Sequence, residues 1–533
     1  MSNLFFLSND VNGGITPPVQ QSAMDTFLTA ILKVITFIND NILWGIPLIV
    51  ALLGTGIVIT VRTRAVQVRK FGDAFSSTVV PTVKSVGTKQ KKGDGSTKSV
   101  SAFEAFSAAI SGTVGTGNIV GVASALLSGG PGAVFWMWVS AFFGLATNYS
   151  ENVLGLYYRK KDKDGVIHGG PMYYIEKGLN LKWLGMIFAV CCMLAASGMG
   201  MVQANNITGT LQTTVNGAGD ETKNLIIGIC VAVAVVLLTA LIVLGGIQRI
   251  GKVTSMIVPF MCVLFIIMAI IILCINCTAI PAAFALIFVN AFSFKAVGGG
   301  ILGYGIMMAM RYGFARGIFS NEAGLGSSVI AQCASEEKEP VKQGLWGIFG
   351  VFIDTFIICT LTALTILTSF ITSKGADANI MTDSGANGAN ALAIQPYITT
   401  LSTFGSVVFS IILPLFAFTT IIAWAYYGEK AAQYLFGHKN AKVSGFVFKV
   451  VYVATLAFGA ITKNDFIWAL DDMFNALMAL PNLIALILLS GTIVKITKNY
   501  YDRKKGLDIE PMLSAYPEVN AELSAAIKAE TEE

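Results

Sequence analysis

The chain has 533 residues, of which 54% are hydrophobic and 13% charged, and its mean hydropathy is +0.69. Soluble domains carry roughly 25% charged residues, so this composition excludes a soluble globular protein and indicates an integral membrane protein. The net charge is only +5, and its distribution along the chain says more than its sum.

The N-terminus, MSNLFFLSND, lacks the basic start of a cleaved signal peptide. A bilayer-crossing helix needs about 20 mostly apolar residues. Eleven such runs are predicted, at 42–61, 103–128, 132–157, 183–207, 223–244, 253–276, 282–311, 344–371, 404–433, 444–462 and 467–494. Between them lie a Lys-rich link at 62–100, a Gly-rich charged connector at 312–342 and a polar Ala/Asn/Gly-rich loop at 372–403. An acidic, mobile tail follows Lys505. The eight cysteines are scattered, and all but Cys333 lie in apolar runs, which reads as core packing and not as a disulfide framework. Cys274 and Cys277 form a lone CxxC without a second pair. His168 and His438 fall in predicted loops, so no His-based metal site suggests itself.

Lys and Arg set the orientation. With the C-terminus taken as cytoplasmic, the loops 62–100, 159–182, 245–252, 311–342 and 428–449 and the tail hold 31 of the 36 basic residues. An odd number of spans then puts the N-terminus outside. The basic clusters are read as topogenic, not as nucleic-acid binding.

Span 2 contains SAAISGTVGTGNIVGVAS at 107–124, with Gly112, Gly115, Gly117 and Gly121 interleaved with Thr113, Thr116 and Asn118. Irregular backbone at membrane depth is tolerated only where it is buried in protein or lines a cavity. A break near Thr113 to Asn118 would give the outer half-helix free N–H groups, which suit a carboxylate. The inner half would end in carbonyls, which suit a cation. Close helix packing through Gly117-xxx-Gly121 is the competing reading, and Val120 breaks the dinucleotide fingerprint. Span 7 repeats the theme in FSFKAVGGGILGYG, with a second break expected at Ala296 to Gly300. It comes five spans after span 2, so the two run in opposite directions, as in an inverted-repeat transporter. Thr419 and Thr420 in span 9 could hold a hard cation or bond back to their own helix. Trp424 lies one turn further, as packing or as a pocket wall. Asp354 in span 8 could bind a cation, relay a proton or pair with Lys295. Glu151, Gln203 and Asn206 are further polar intrusions, functional or interhelical glue.

Four stretches, SGTVGTGNIVGVASAL in span 2, GGPMYYIEKGL at 169–179, RGIFSNEAGLGSS at 316–328 and FTTIIAWAYYGEK at 418–430, together resemble the alanine/glycine:cation symporter family. The likeness runs from span 1 to about residue 500. It implies an all-α membrane protein of about 11 transmembrane helices, a five-plus-five inverted-repeat amino-acid transporter with one extra N-terminal helix. The segments would be 1–100 (first helix and basic link), 101–279 and 280–500 (the two five-helix repeats) and 501–533 (cytoplasmic tail). The implied activity is sodium-driven uptake of alanine or glycine across the cell membrane by alternating access. Sodium would be the co-transported ion, with no prosthetic group, no nucleic acid and no protein partner.

The resemblance also implies roles. Thr116 and Gly117 would offer amides to the substrate carboxylate, with Asn118 beside it. Phe294 and the Ala296 to Gly300 break, including Gly298 and Gly299, would face the ammonium and side chain, and Gln203 and Trp424 would close the pocket. The carbonyls of Ser111, Val114 and Phe416 and the hydroxyls of Thr419 and Thr420 would cage sodium. Proton coupling through Asp354 is the alternative within transport. A membrane-embedded enzyme would need a nucleophile or metal set that neither the histidines nor the cysteines supply.

Overall fold

The fold is that of a computed structural model, which describes residues 23–85, 100–162, 166–215, 220–292, 304–385, 388–437, 440–462 and 464–532. It is almost entirely helical. In chain order the helices are α1 (Ala23–Ile38), α2 (Ile46–Arg62), α3 (Val66–Arg69), α4 (Phe71–Ser85), α5 (Ala102–Thr113), α6 (Val120–Gly129) and α7 (Gly132–Tyr157). A two-residue hairpin, β1 (Lys160–Lys161) and β2 (Ile167–His168), follows. Next come α8 (Pro171–Leu179), α9 (Lys182–Val215), α10 (Glu221–Val243), α11 (Gly246–Ile275), α12 (Ile280–Ala291), α13 (Tyr304–Asn321) and α14 (Ser328–Gln332). The remainder is α15 (Pro340–Val351), α16 (Thr360–Lys374), α17 (Ile380–Asp383), α18 (Ala389–Phe436), α19 (Ala441–Ile461), α20 (Asn464–Leu488), α21 (Ser490–Lys504) and α22 (Pro517–Glu532).

Among the described residues seven helices are long and apolar enough to cross a membrane, or nine when each bent pair is one span. The outward faces of α10, α11 and α19 expose Leu237, Leu241, Phe260, Val263 and Val447. Such a belt is stable only against lipid, so the molecule is a multi-pass membrane protein. At the centre α18 packs along α9. The start of α5 is fixed by a capping box: Ser101 Oγ accepts from the Glu104 N–H at 3.2 Å, and Glu104 Oε2 accepts from the Ser101 N–H at 3.0 Å. Helix α18 bends at Ser402, whose φ is +52°.

The expected break in span 2 is present. Helices α5 and α6 meet at 53° across Val114–Ile119, with one 3-10 turn at Thr116–Asn118. The expected second break at Ala296 to Gly300 falls outside the described residues, and a further irregular stretch is found after it. The stretch 293–303, with Phe294, Lys295, Ala296, Gly298, Gly299 and Gly300, is outside the described residues. The run 312–342 is not a connector: α13 continues to Asn321, a buried irregular stretch spans 322–327, and α14 follows, nearly all of it buried. Helix α13 packs on α6, and α14 on α5, so the two broken helices run antiparallel.

Three smaller expectations also change. The loop 372–403 carries α17 and the first turns of α18. The tail is docked, not loose: Leu513 is buried and the Ala515 N–H donates to the Tyr157 carbonyl at 2.9 Å. Arg311 and Arg316, assigned to a cytoplasmic loop, line a cavity of about 420 Å³ with Asp40, Gly388, Ala389 and Asp465. Those are segments that the charge map puts outside. Arg311 pairs with Asp40 and Arg316 with Asp472, so their compensated charge carries little topogenic weight.

Candidate functional site

The first break is held open by side chains that replace the missing helical hydrogen bonds. Asn118 Oδ1 accepts from the Gly115 N–H at 2.9 Å. Gln203 Oε1, from α9, accepts from the Thr116 N–H at 3.2 Å and from Thr116 Oγ1 at 2.8 Å. Asn206 Nδ2 then donates to Thr116 Oγ1 at 2.7 Å. The Gln203 carbonyl is an sp2 oxygen taking an amide and a hydroxyl together, which is the position a carboxylate oxygen would take against Thr116. Thr116, Asn118, Gln203 and Asn206 are all buried, so each polar atom needs such a partner.

Gly117 is where the two breaks touch. A Cβ there would stand 3.0 and 3.1 Å from the Phe319 ring and 3.5 Å from Ser320 Cα. On the other side of Asn118, its Nδ2 donates to Asp354 Oδ1 at 2.6 Å. Asp354 lies in a π-helical turn at Phe352–Cys359 between α15 and α16, an irregularity common at functional sites. Its carboxylate also accepts from Ser320 Oγ at 2.9 Å and Thr355 Oγ1 at 2.8 Å. Both oxygens of this buried carboxylate are thus given hydrogen-bond partners. The suggested Asp354–Lys295 pair involves a residue outside the described ones.

Four of the five expected cation-cage residues converge. Thr420 Oγ1 donates to the Ser111 carbonyl at 2.9 Å and lies 3.1 Å from the Phe416 carbonyl, bridging α5 and α18. Thr419 Oγ1 reaches the same Phe416 carbonyl at 3.0 Å. Val114 is buried at the C-terminal end of α5. The chain abuts Thr420 there, since a Cβ on Gly115 would collide with Thr420 Oγ1. Hydroxyl and carbonyl oxygens suit a hard cation such as sodium, although Met261 Sδ also lies 3.5 Å from Thr419 Oγ1. No group of three His, Cys, Asp or Glu that could hold a metal occurs among the described residues. Trp424 Nε1 points at the Gly112 carbonyl, 3.4 Å away.

Phe294, Gly298 and Gly299 lie outside the described residues; among the described ones, residues 319–327 adjoin the first break. Phe319 lies over Gly117 and packs against Trp468 at 4.9 Å. Arg316 makes a two-pronged ion pair with Asp472 at 3.0 and 2.9 Å and lies 4.6 Å over Trp468. The second break is braced by Glu151, whose Oε1 accepts from the Gly324 N–H at 3.0 Å and from Asn482 Nδ2 at 2.6 Å. Tyr174 OH donates in turn to Asn482 Oδ1. The signal for this break was present in Gly324 and Gly326 beside Ser320, Asn321 and Glu322. The flanking arginines and Glu322 made it read as a loop.

The comparisons agree with this geometry. The family model described as the sodium:alanine symporter family matches residues 28–513. An uncharacterized transporter of Haemophilus influenzae is 41% identical over 468 residues, covering 87% of this chain and 95% of the relative. The sodium/alanine symporter AgcS of Methanococcus maripaludis is 38% identical over 471 residues, covering 87% and 96%. The crystal structure of MhsT in complex with L-phenylalanine shares the fold, with a TM-score of 0.51 at 14% identity, covering 75% of this chain and 99% of that one. A transporter, and not an enzyme, is what these findings describe: the chain belongs to the sodium:alanine symporter family.

Proposed function

We propose that the chain is a sodium-coupled symporter that carries alanine and glycine into the cell by alternating access. The observation that carries this reading is the Thr420 hydroxyl, which joins the Ser111 carbonyl at the broken helix to the Phe416 carbonyl of α18. A sodium ion among Ser111, Val114, Phe416, Thr419 and Thr420 would pin α5 against α18 and fix the break that receives the amino acid. Thr116, Gly117 and Asn118 would take the carboxylate, with Gln203 giving up its hold on Thr116, and Trp424 would keep the pocket small. The two antiparallel breaks fit two inverted five-helix units, residues 101–279 and 280–500, preceded by an N-terminal helix. The basic clusters support a cytoplasmic C-terminus and an N-terminus outside.

A zwitterion carries no net charge, so sodium supplies the driving force. One charge crossing 100 mV is worth about 2.3 kcal/mol, roughly a 50-fold accumulation before any sodium gradient. Sodium and alanine must also tighten each other's binding by the same factor.

Uptake of a panel of small neutral amino acids into proteoliposomes tests the reading. Accumulation of alanine or glycine should require an inward sodium gradient. Robust uptake driven by a proton gradient without sodium would overturn it in favour of proton coupling through Asp354. Equilibration without accumulation would indicate a passive channel.

A further inference from the structure

Glu322 is the one ionisable side chain of the second break, and neither the cation cage nor the carboxylate-binding break uses it. It is 0% exposed. Its backbone sits at φ +55°, a left-handed conformation that strains a residue with a Cβ. The helix-breaking geometry at 322–327 turns this residue out of α13. One carboxylate oxygen, Oε2, accepts from Ser327 Oγ at 2.5 Å. The other, Oε1, has no hydrogen-bond partner among the described residues, and Glu322 makes no ion pair among them.

Its neighbours place it beside the first break. The Trp424 indole faces the Glu322 carboxylate, and the same indole N–H points at the Gly112 carbonyl. Three residues back, Phe319 covers Gly117. Other titratable groups facing Glu322 are Glu151 of α7, Asp354 of the π turn, Asp471 of α20, Cys192 of α9 and Tyr427 of α18. Every charged group in that set is acidic. A buried carboxylate oxygen without a hydrogen-bond partner is expensive, and a cation that arrives and leaves would compensate it. A small zwitterion whose carboxylate lies at Thr116–Gly117 carries an ammonium only a few ångströms from it.

We infer that Glu322 is the specificity-determining acceptor for the substrate ammonium, its Oε1 taking an N–H of the amino acid and thereby excluding hydroxy acids and other anions of the same shape. This rests on the amino-acid symport reading above. Ser327 holds Oε2 and aims the carboxylate, and the left-handed backbone keeps it at the break.

The test is ligand binding to the purified full-length protein at saturating sodium, by calorimetry, with two probes. These are L-alanine and L-lactate, which has a hydroxyl where alanine has its ammonium. In the wild type alanine binds far more tightly than lactate. Glu322→Gln keeps shape and removes charge. A hydrogen bond to a charged group is worth about 1.5–3 kcal/mol, so alanine affinity should fall about 10- to 150-fold while lactate binding holds or improves. Loss of both ligands by the same factor, with the thermal transition intact, would mean a structural brace and overturn the assignment. Alanine affinity equal to wild type would overturn it too, and so would an effect confined to sodium affinity or to pH dependence, which would make Glu322 a cation or proton site. Should Glu322→Gln fail to fold, Glu322→Asp decides: weaker alanine binding with discrimination retained supports the role, and unchanged alanine affinity refutes it. Failure of the wild type to bind alanine at all would instead overturn the symport reading.

Discussion

The two breaks face each other and are built in opposite ways. The first, Val114–Ile119, is made of glycines and small polar side chains, and its ties reach outward to α9, to the π turn and to α18. Those ties come from Gln203, Asp354 and Thr420, groups that a ligand or an ion could displace or recruit. The second, 322–327, carries Glu322 and two left-handed glycines, Gly324 and Gly326, at φ +93° and +78°. It is locked by a fully buried acid, Glu151, through the Gly324 N–H and Asn482. The difference assigns labour: one break is arranged to exchange partners, the other to stay put and present a carboxylate.

Paired glycine substitutions would break that contrast most severely. Gly326→Leu puts a side chain into a left-handed position where the new Cβ would collide with Pro171 and come within 3.1 Å of Asn482. Backbone strain and overpacking together amount to roughly 3 kcal/mol or more. The expected outcome is loss of folded protein, read as loss of the monodisperse peak after solubilisation. Gly117→Leu meets the Phe319 ring at 3.0 and 3.1 Å and backbone only at 3.5 Å, at Ser320 Cα, a milder conflict than that at Gly326. This variant should fold with a near-normal thermal transition yet lose sodium-dependent alanine uptake by more than about 100-fold, because amide and ligand can no longer approach closely. A well-folded, active Gly326→Leu would show that the second break is not a rigid frame.

The same contrast explains what the sequence made legible. Four glycines with two threonines and an asparagine inside an apolar run cannot be an ordinary span. The first break and Thr419, Thr420 and Gln203 could therefore be found from composition and helix order. The second break is hidden because its membrane segment is not uniformly apolar. Arg311 and Arg316 sit in α13 with their charges balanced by Asp40 and Asp472, partners 271 and 156 residues away. A hydropathy window cannot see that these charges are compensated, so it ends the span at 311, whereas α13 runs on to Asn321. The stretch RGIFSNEAGLGSS stood out as a motif before its geometry was known. Ion pairing across the fold, which one-dimensional reading cannot supply, turns it from a connector into a wall of the site. Helices α17 and α22 escaped for a related reason, since their polar sequences are helical only where the fold holds them.

Within the exchanging break, Thr420→Ala sharpens the sodium assignment. It removes the hydroxyl shared by the Ser111 and Phe416 carbonyls and leaves a methyl-sized side chain in the same helix. A lost ligand from a cage of about five oxygens should raise the sodium concentration for half-maximal alanine uptake about 10-fold or more, with little change in thermal stability. An unchanged sodium dependence in a folded protein would move the cation elsewhere, most directly to the Asp354 cluster.

The smallest effect is expected at the rim, where the two breaks share a cover. Arg316 forks onto both oxygens of Asp472 and lies 4.6 Å over Trp468, which packs against Phe319 above Gly117. Lysine keeps the charge but loses the fork and the flat face, so Arg316→Lys is not a neutral exchange. If the rigid break supplies the cover through α13, loosening the ion pair should let Phe319 lift more readily. Alanine should then leave faster and its half-saturation concentration should rise about 3- to 10-fold, while the sodium dependence stays as in the wild type. A change in sodium dependence of the same size would mean that the cover and the cation cage are not separable. The division between a break that exchanges partners and a break that holds still would then have to be given up.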